Sequence, residues 1–266
     1  MASKQDVVNN FMDKALWKYG PKPGSFYNFP SSSTDSHTGI SKRTLNPTTT
    51  GTSVLGLAYK GGVVIAADTL GSYGSLARFR DCSRVMKVND FTILGCGGDY
   101  ADFQYLKNVI EQKVIDEECL YDEFTIKPRA LHSWITRVLY NRRSQFDPFW
   151  TTFIVGGVQD GEPFLGHADK LGTAFECSHI ATGYGAYIAL PMLRKALEEN
   201  EKTGKELNQR QAIGILVNCL RVLYYRDARS FYRYEFAIAS KDGTKIEGPH
   251  QIDSNWDIAH YQGGTL

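Results

Sequence analysis

No stretch of this chain is apolar for long enough to span a bilayer. The first twenty residues hold no apolar signal core either, because Val7, Val8 and Phe11 are interleaved with Asp6, Asn9, Asn10, Asp13 and Lys14. Neither sign of charge is in excess. Thirty basic residues against 29 acidic ones leave a formal +1, which gives nucleic acid or an anionic membrane no electrostatic handle. Cysteine is scarce and scattered: Cys82, Cys96, Cys119, Cys177 and Cys219 are odd in number and form no C-x-x-C. That argues against a disulfide framework or a zinc ribbon and for small buried hydrophobes. The six histidines (His37, His132, His167, His179, His250 and His260) never sit at metal-ligand spacing with each other or with a cysteine. No metal site is therefore expected, and the sequence holds no obvious cofactor site. Gly71–Gly74 and Gly95–Gly98 lack the phosphate-cradling pattern and read as tight turns. These absences point to a chain that works in the cytoplasm or nucleus.

What is present is an ordinary globular composition, 42% hydrophobic and 22% charged over 266 residues, enough for one large domain or two small ones. Residues 1–51 show little periodicity and are punctuated by Gly20-Pro21, Pro23-Gly24, Ser31–Ser33 and Thr48–Thr50, so they read as a flexible leader. Beyond it, Thr52–Tyr59 and Val63–Asp68 flank Lys60-Gly61-Gly62 as a hairpin, and 84–88 pairs with 91–96. Helical spacing then predicts helices over 99–116 and 128–146. Strands return at 150–158, 163–169 and near 173–178. Helices follow at 185–199, with Pro191 marking a start or kink, and at 208–225. Strands 234–240 and 244–247 close the core, and 249–266 reads as a tail. Helix pairs can cover only the outside of sheets that already share a core, so a four-layer αββα sandwich is one economical solution. An ordinary α+β domain fits the periodicity nearly as well.

Gly51-Thr52 opens the periodic region. A threonine hydroxyl is a weak nucleophile that becomes useful when its own free α-amine acts as base, which requires the chain to be cut before it. The surrounding motifs run in order: Gly51-Thr52-Ser53-Val54, Gly62–Asp68, Gly74-Ser75, Gly97–Asp102, Ala181–Gly185 and Tyr224–Ser230. Over nearly all of 44–250 they resemble the β-type subunits of the proteasome core particle. The longer strings Leu70–Phe79 and Asp99–Leu106 are similar to a non-catalytic member of that family.

The resemblance implies an N-terminal-nucleophile hydrolase fold of the αββα type, a domain over 44–248, and a set of site positions. The nucleophile falls on Thr52 and its supporting carboxylate on Asp68, both retained. The catalytic lysine falls on Arg84, and the serine of the glycine turn before the third helix on Tyr184. The oxyanion donor falls on Gly98, and the aspartate and serine after the fourth helix on Asp227 and Ser230. Phe231-Tyr232 stands where active members carry two glycines. A guanidinium stays charged where a buried lysine can give up its proton. Arg84 is therefore expected to pair with Asp68 and to fill space beside Thr52, with the Tyr184 ring crowding the same pocket.

The implied role is architectural rather than enzymatic, in the ubiquitin-dependent degradation of proteins. Residues 1–43 would be a propeptide, trimmed by a neighbour between Arg43 and Thr44 and leaving Thr44–Gly51 ahead of Thr52. The implied partners are neighbouring β subunits, an α-ring subunit and a β subunit of the opposite ring. Trp256, Ile258 and Tyr261 are the apolar anchors of a tail (249–266) that would reach the opposite ring and help half-particles pair. Removing everything after Gly248 is expected to leave the domain folded. Two alternatives stay open: an active threonine endopeptidase using Thr52, and a free-standing α/β binding module with a decayed site.

Overall fold

The computed structural model describes residues 46–120, 125–202, 204 and 206–257. Thirteen strands and four helices run in the order β1 (Thr49–Gly51), β2 (Val54–Tyr59), β3 (Gly62–Asp68), β4 (Gly71–Tyr73), β5 (Leu76–Phe79), β6 (Val85–Lys87), β7 (Thr92–Asp99), α1 (Tyr100–Glu118) and α2 (Pro128–Ser144) among the described residues. They continue with β8 (Thr151–Gln159), β9 (Glu162–Ala168), β10 (Ala174–Glu176), β11 (His179–Ala181), α3 (Gly185–Lys202), α4 (Gln209–Arg226), β12 (Arg233–Ser240) and β13 (Gly243–Gln251). No helix among the described residues is long and apolar enough to cross a membrane.

Two antiparallel sheets form. One runs β10-β9-β8-β7-β1-β4-β5, with β6 also on β7, and the other runs β11-β2-β3-β12-β13. Strand alternation sends consecutive side chains to opposite faces, and here both faces are apolar. Val63, Ile65 and Ala67 of β3 meet Ile93 of β7, Ile154 of β8 and Leu165 of β9 in a core between the sheets. The alternate residues Val64 and Ala66 pack with Leu193, Leu216 and Leu220 under α3 and α4. On the far side, Leu94, Phe153 and Val155 pack with Phe103, Leu131 and Leu139 under α1 and α2. Three apolar layers between four structural layers define the αββα sandwich and decide between the two folds that periodicity had left open. Close approach of the sheets needs a missing side chain at Gly95, where a Cβ would lie 2.6 Å from Ile65 Cγ2. The Gly95–Gly98 run is thus buried strand, not the tight turn its composition suggested.

Both outer helix pairs and the long strands other than β13 fall where periodicity places them. Pro191 lies inside α3, which already begins at Gly185. The short strands β1, β4, β5 and β11 are additions, and Gly71–Tyr73 is strand rather than turn. Only Gly74, at φ +59, makes the turn there. The domain end also moves. Beyond Glu247, β13 continues through Gly248-Pro249, pairing Tyr234 with His250 and Arg233 with Gln251. Ile252 is then buried in the core under α3 and α4, and its N–H donates to the Tyr232 carbonyl at 2.8 Å. A cut after Gly248 therefore removes part of the last strand and a core side chain, so the domain would fold with less stability than the tail reading implied. Such a truncation loses the Ile252 side chain alone at about 1.5–3 kcal/mol. Urea unfolding should show it clearly less stable than a chain ending after Asp257, which keeps this strand.

Candidate functional site

The site is built around the place where the chain changes sheets. β1 belongs to the larger sheet and β2 to the smaller, so Thr52 and Ser53 bridge the two. Thr52 is thus not the first residue of a strand, as its sequence neighbours suggested, but the first residue of the crossing. Upstream, β1 fills the gap between β4 and β7, with Thr50 opposite Ser72 on one side and Gly51 opposite Gly98 on the other.

Arg84 holds the crossing in place. It is 2% exposed, and its carboxylate partner Asp68 is 3% exposed. Nη2 donates to Asp68 Oδ1 at 2.6 Å and to the Ser53 carbonyl at 3.1 Å. Nη1 donates to the Thr52 carbonyl at 2.6 Å and to the Cys96 carbonyl at 3.4 Å, and Nε to the Asp68 carbonyl at 3.0 Å. A guanidinium has five N–H donors in a fixed fork, and these bonds use all of them. The stem leaves no room on the other side, since a Cβ at Gly51 would sit 2.3 Å from Arg84 Cδ. Glycine before Thr52 is thus required by the arginine.

Asp68 completes its shell with the Leu70 and Phe231 amides, each donating at 3.3 Å. Burial still pushes its carboxyl above the usual range, against the pull of Arg84 and of those amides. The pair is therefore a positioning device more than a source of stability, because the cost of drying both charges offsets their attraction. Cys96, behind the guanidinium, is also fully buried, and burial pushes its thiol well up and keeps it protonated.

The remaining site positions converge in part. Thr52 Oγ1 donates to Asp227 Oδ2 at 2.6 Å, and Asp227 Oδ1 accepts the Arg229 amide at 3.0 Å. The Ser230 amide donates to the Asp227 carbonyl at 3.1 Å, so Ser230 belongs to the turn that ends α4. Gly98, at φ +94, pairs with β1, and a Cβ there would lie 2.1 Å from the Trp150 carbonyl. Tyr184 departs from expectation. Its ring is 61% exposed, while the turn itself closes on Ser53 through its backbone, with the Gly185 amide donating to Ser53 Oγ at 2.8 Å. The proposed crowding of the Thr52 pocket by the Tyr184 ring is corrected, because Gly183 at φ +57 turns the backbone inward and the side chain out.

Two contributors escaped sequence reasoning. Ser53 offers its carbonyl to Arg84 and its hydroxyl to the glycine turn, and Thr182 Oγ1 accepts the Val54 amide at 2.9 Å. Nothing in a lone serine or threonine signals this, since their partners lie 31 to 132 residues away. Trp256 folds back on α4, its ring 5.7 Å from that of Tyr224 and 5.0 Å from that of Tyr225. Arg43, Thr44, Ile258 and Tyr261 lie outside the described residues. Among the described residues no group of three His, Cys, Asp or Glu side chains converges to hold a metal ion.

A family profile described as "Proteasome subunit" matches residues 48–239. The chain belongs to the proteasome subunit family, which carries the N-terminal-nucleophile hydrolase fold. It is similar to the protein named proteasome subunit beta type-4 from Xenopus laevis, 53% identical over 245 residues, covering 92% of this chain and 97% of that one. The protein of the same name from Drosophila melanogaster is 40% identical over 266 residues, covering 95% and 98%. Proteasome subunit beta type-7 from Saccharomyces cerevisiae is 39% identical over 223 residues, covering 81% and 84%.

Removing one partner of a buried pair strands the other. Arg84→Met should cost about 3–5 kcal/mol in urea unfolding. Adding Asp68→Asn should recover part of that loss, though not the bonds to the Thr52, Ser53 and Cys96 carbonyls.

Proposed function

We propose that this chain is a non-catalytic β subunit of the proteasome core particle, contributing architecture to ubiquitin-dependent protein degradation in the cytoplasm and nucleus. The observation that carries the proposal is Arg84. A threonine nucleophile of this type needs nearby groups that can accept and return a proton. A guanidinium is no proton acceptor, and every donor of the one beside Thr52 is committed to an oxygen of the chain itself. The strand before Thr52 supports the same reading. It pairs with β4 and β7 and fills the slot between those strands, where a retained segment would cover Thr52. With the amine blocked, Thr52 Oγ1 has Asp227 as its partner, an acceptor that orients the hydroxyl.

On this proposal the residues before Thr44 are removed by a neighbouring active subunit and Thr44–Gly51 stays as part of the mature chain. Its partners are adjacent β subunits, an α-ring subunit and a β subunit of the opposite ring. Trp256 packs on this chain's own α4, so the segment beyond it, with Ile258 and Tyr261, is the part that reaches the opposite ring and favours pairing of half-particles.

The intact mass of this chain from assembled core particles tests the proposal. A mature chain beginning at or near Thr44, unlabelled by a threonine-directed covalent inhibitor, is the expected result. A chain beginning at Thr52 and carrying the inhibitor would overturn it.

A further inference from the structure

The Leu70–Phe79 string distinguished this sequence within its family, yet the Thr52 site makes little use of it. The structure turns its latter part into an exposed hairpin at the edge of the larger sheet. All four residues of β5 are exposed, and β5 ends the strand order. Leu76 is 59% exposed, Tyr73 opposite it 51%, and Phe79 43%. Arg78 lies across both rings, 5.6 Å from the centroid of Tyr73 and 5.2 Å from that of Phe79. Arg80 is exposed one residue on, and the Arg229 guanidinium caps the hairpin by donating to the Gly74 carbonyl. Among the described residues none of these three arginines has a carboxylate ion-pair partner.

This combination is unusual for a surface meant to stay wet. An open edge strand offers a row of unpaired backbone groups, and proteins ordinarily protect or occupy it. Aromatic rings and arginine are the residues enriched where protein surfaces meet. An arginine stacked on rings presents its fork outward, preformed for a carboxylate. The chain's own ends are poor occupants by charge. Residues 1–45 carry six basic side chains against three acidic ones, and residues 258–266 contain no Asp or Glu.

We infer that β5 and its Tyr73–Arg78–Phe79 cluster receive an extended, carboxylate-bearing segment of a neighbouring core-particle subunit. That segment lies along the β5 edge, with apolar side chains on Leu76 and Tyr73 and acidic ones on Arg78 and Arg80. Strand addition supplies backbone hydrogen bonds, and the arginines set which segment is accepted. The inference rests on the proposed role as a core-particle subunit and names the surface through which one partner is chosen.

The test uses the full chain, tagged and expressed beside the untagged copy, in purified core particles. With Leu76→p-benzoylphenylalanine, irradiation should join this chain to one other subunit, at a stretch containing Asp or Glu. Arg78→Glu with Arg80→Glu should lower incorporation several-fold in competition with the untagged copy, whereas Arg78→Lys with Arg80→Lys, which keeps the charge, should incorporate nearly as well as the parent. A parent chain that incorporates while Leu76 captures only its own chain, or a stretch without carboxylates, overturns the inference and leaves the subunit role standing. Equal incorporation of the Glu pair and the parent does the same. A parent chain absent from core particles defeats both.

Discussion

One buried guanidinium organises the centre of this molecule. Arg84 ties the end of β3, the crossing at Thr52 and Ser53, and the middle of β7 to a single planar fork. It pays for its burial with a full set of acceptors, which is the condition under which a charge can be carried inside a protein. Its consequences spread outward. Gly51 must lack a side chain, Ser53 must turn its carbonyl inward, and the Asp68 carboxyl is pushed up by burial against the pull of Arg84. A lysine could reach one or two of these oxygens, but its three donors could not serve five places at once.

The same arrangement relates this chain's fold to its role. Two sheets packed face to face need the polypeptide to pass between them, and the passage at Thr52 puts a threonine hydroxyl beside a carboxylate. With β1 upstream of it, that passage is an internal joint, clamped from one side by Arg84 and from the other by the pairing of β1 with β4 and β7. Rigidity there supports the β4–β5 hairpin, which stands next to β1 in the sheet order and carries the exposed aromatic and arginine cluster outward. A joint of this kind suits a subunit that offers surfaces to its neighbours.

Legibility followed the physics of each element. The four helices and the longer strands other than β13 carry enough residues for their period to rise above noise, and they lie where the pattern puts them. Strands of three or four residues, such as β1, β4 and β11, hold fewer than two full repeats of alternation and exist because a neighbouring strand supplies their hydrogen bonds. Glycine misled at Gly95–Gly98, where it serves close sheet packing rather than a turn. Tyr184 misled for a related reason, since its position in a motif says nothing about which way a backbone flanked by Gly183 and Gly185 will turn it. The Arg84–Asp68 pair, by contrast, was readable from the chemistry of the residue types within a recognised pattern.

The sequence by itself determined the family and that an arginine stands at position 84, because these depend on which side chains are present and in what order. The tertiary structure decided that Thr52 lies at a crossing between sheets, that all five donors of Arg84 are satisfied, that Tyr184 faces water, and that the domain runs on through Ile252. Each of these rests on contacts between segments far apart in the chain. Such contacts acquire a direction and a distance only once the two sheets have packed.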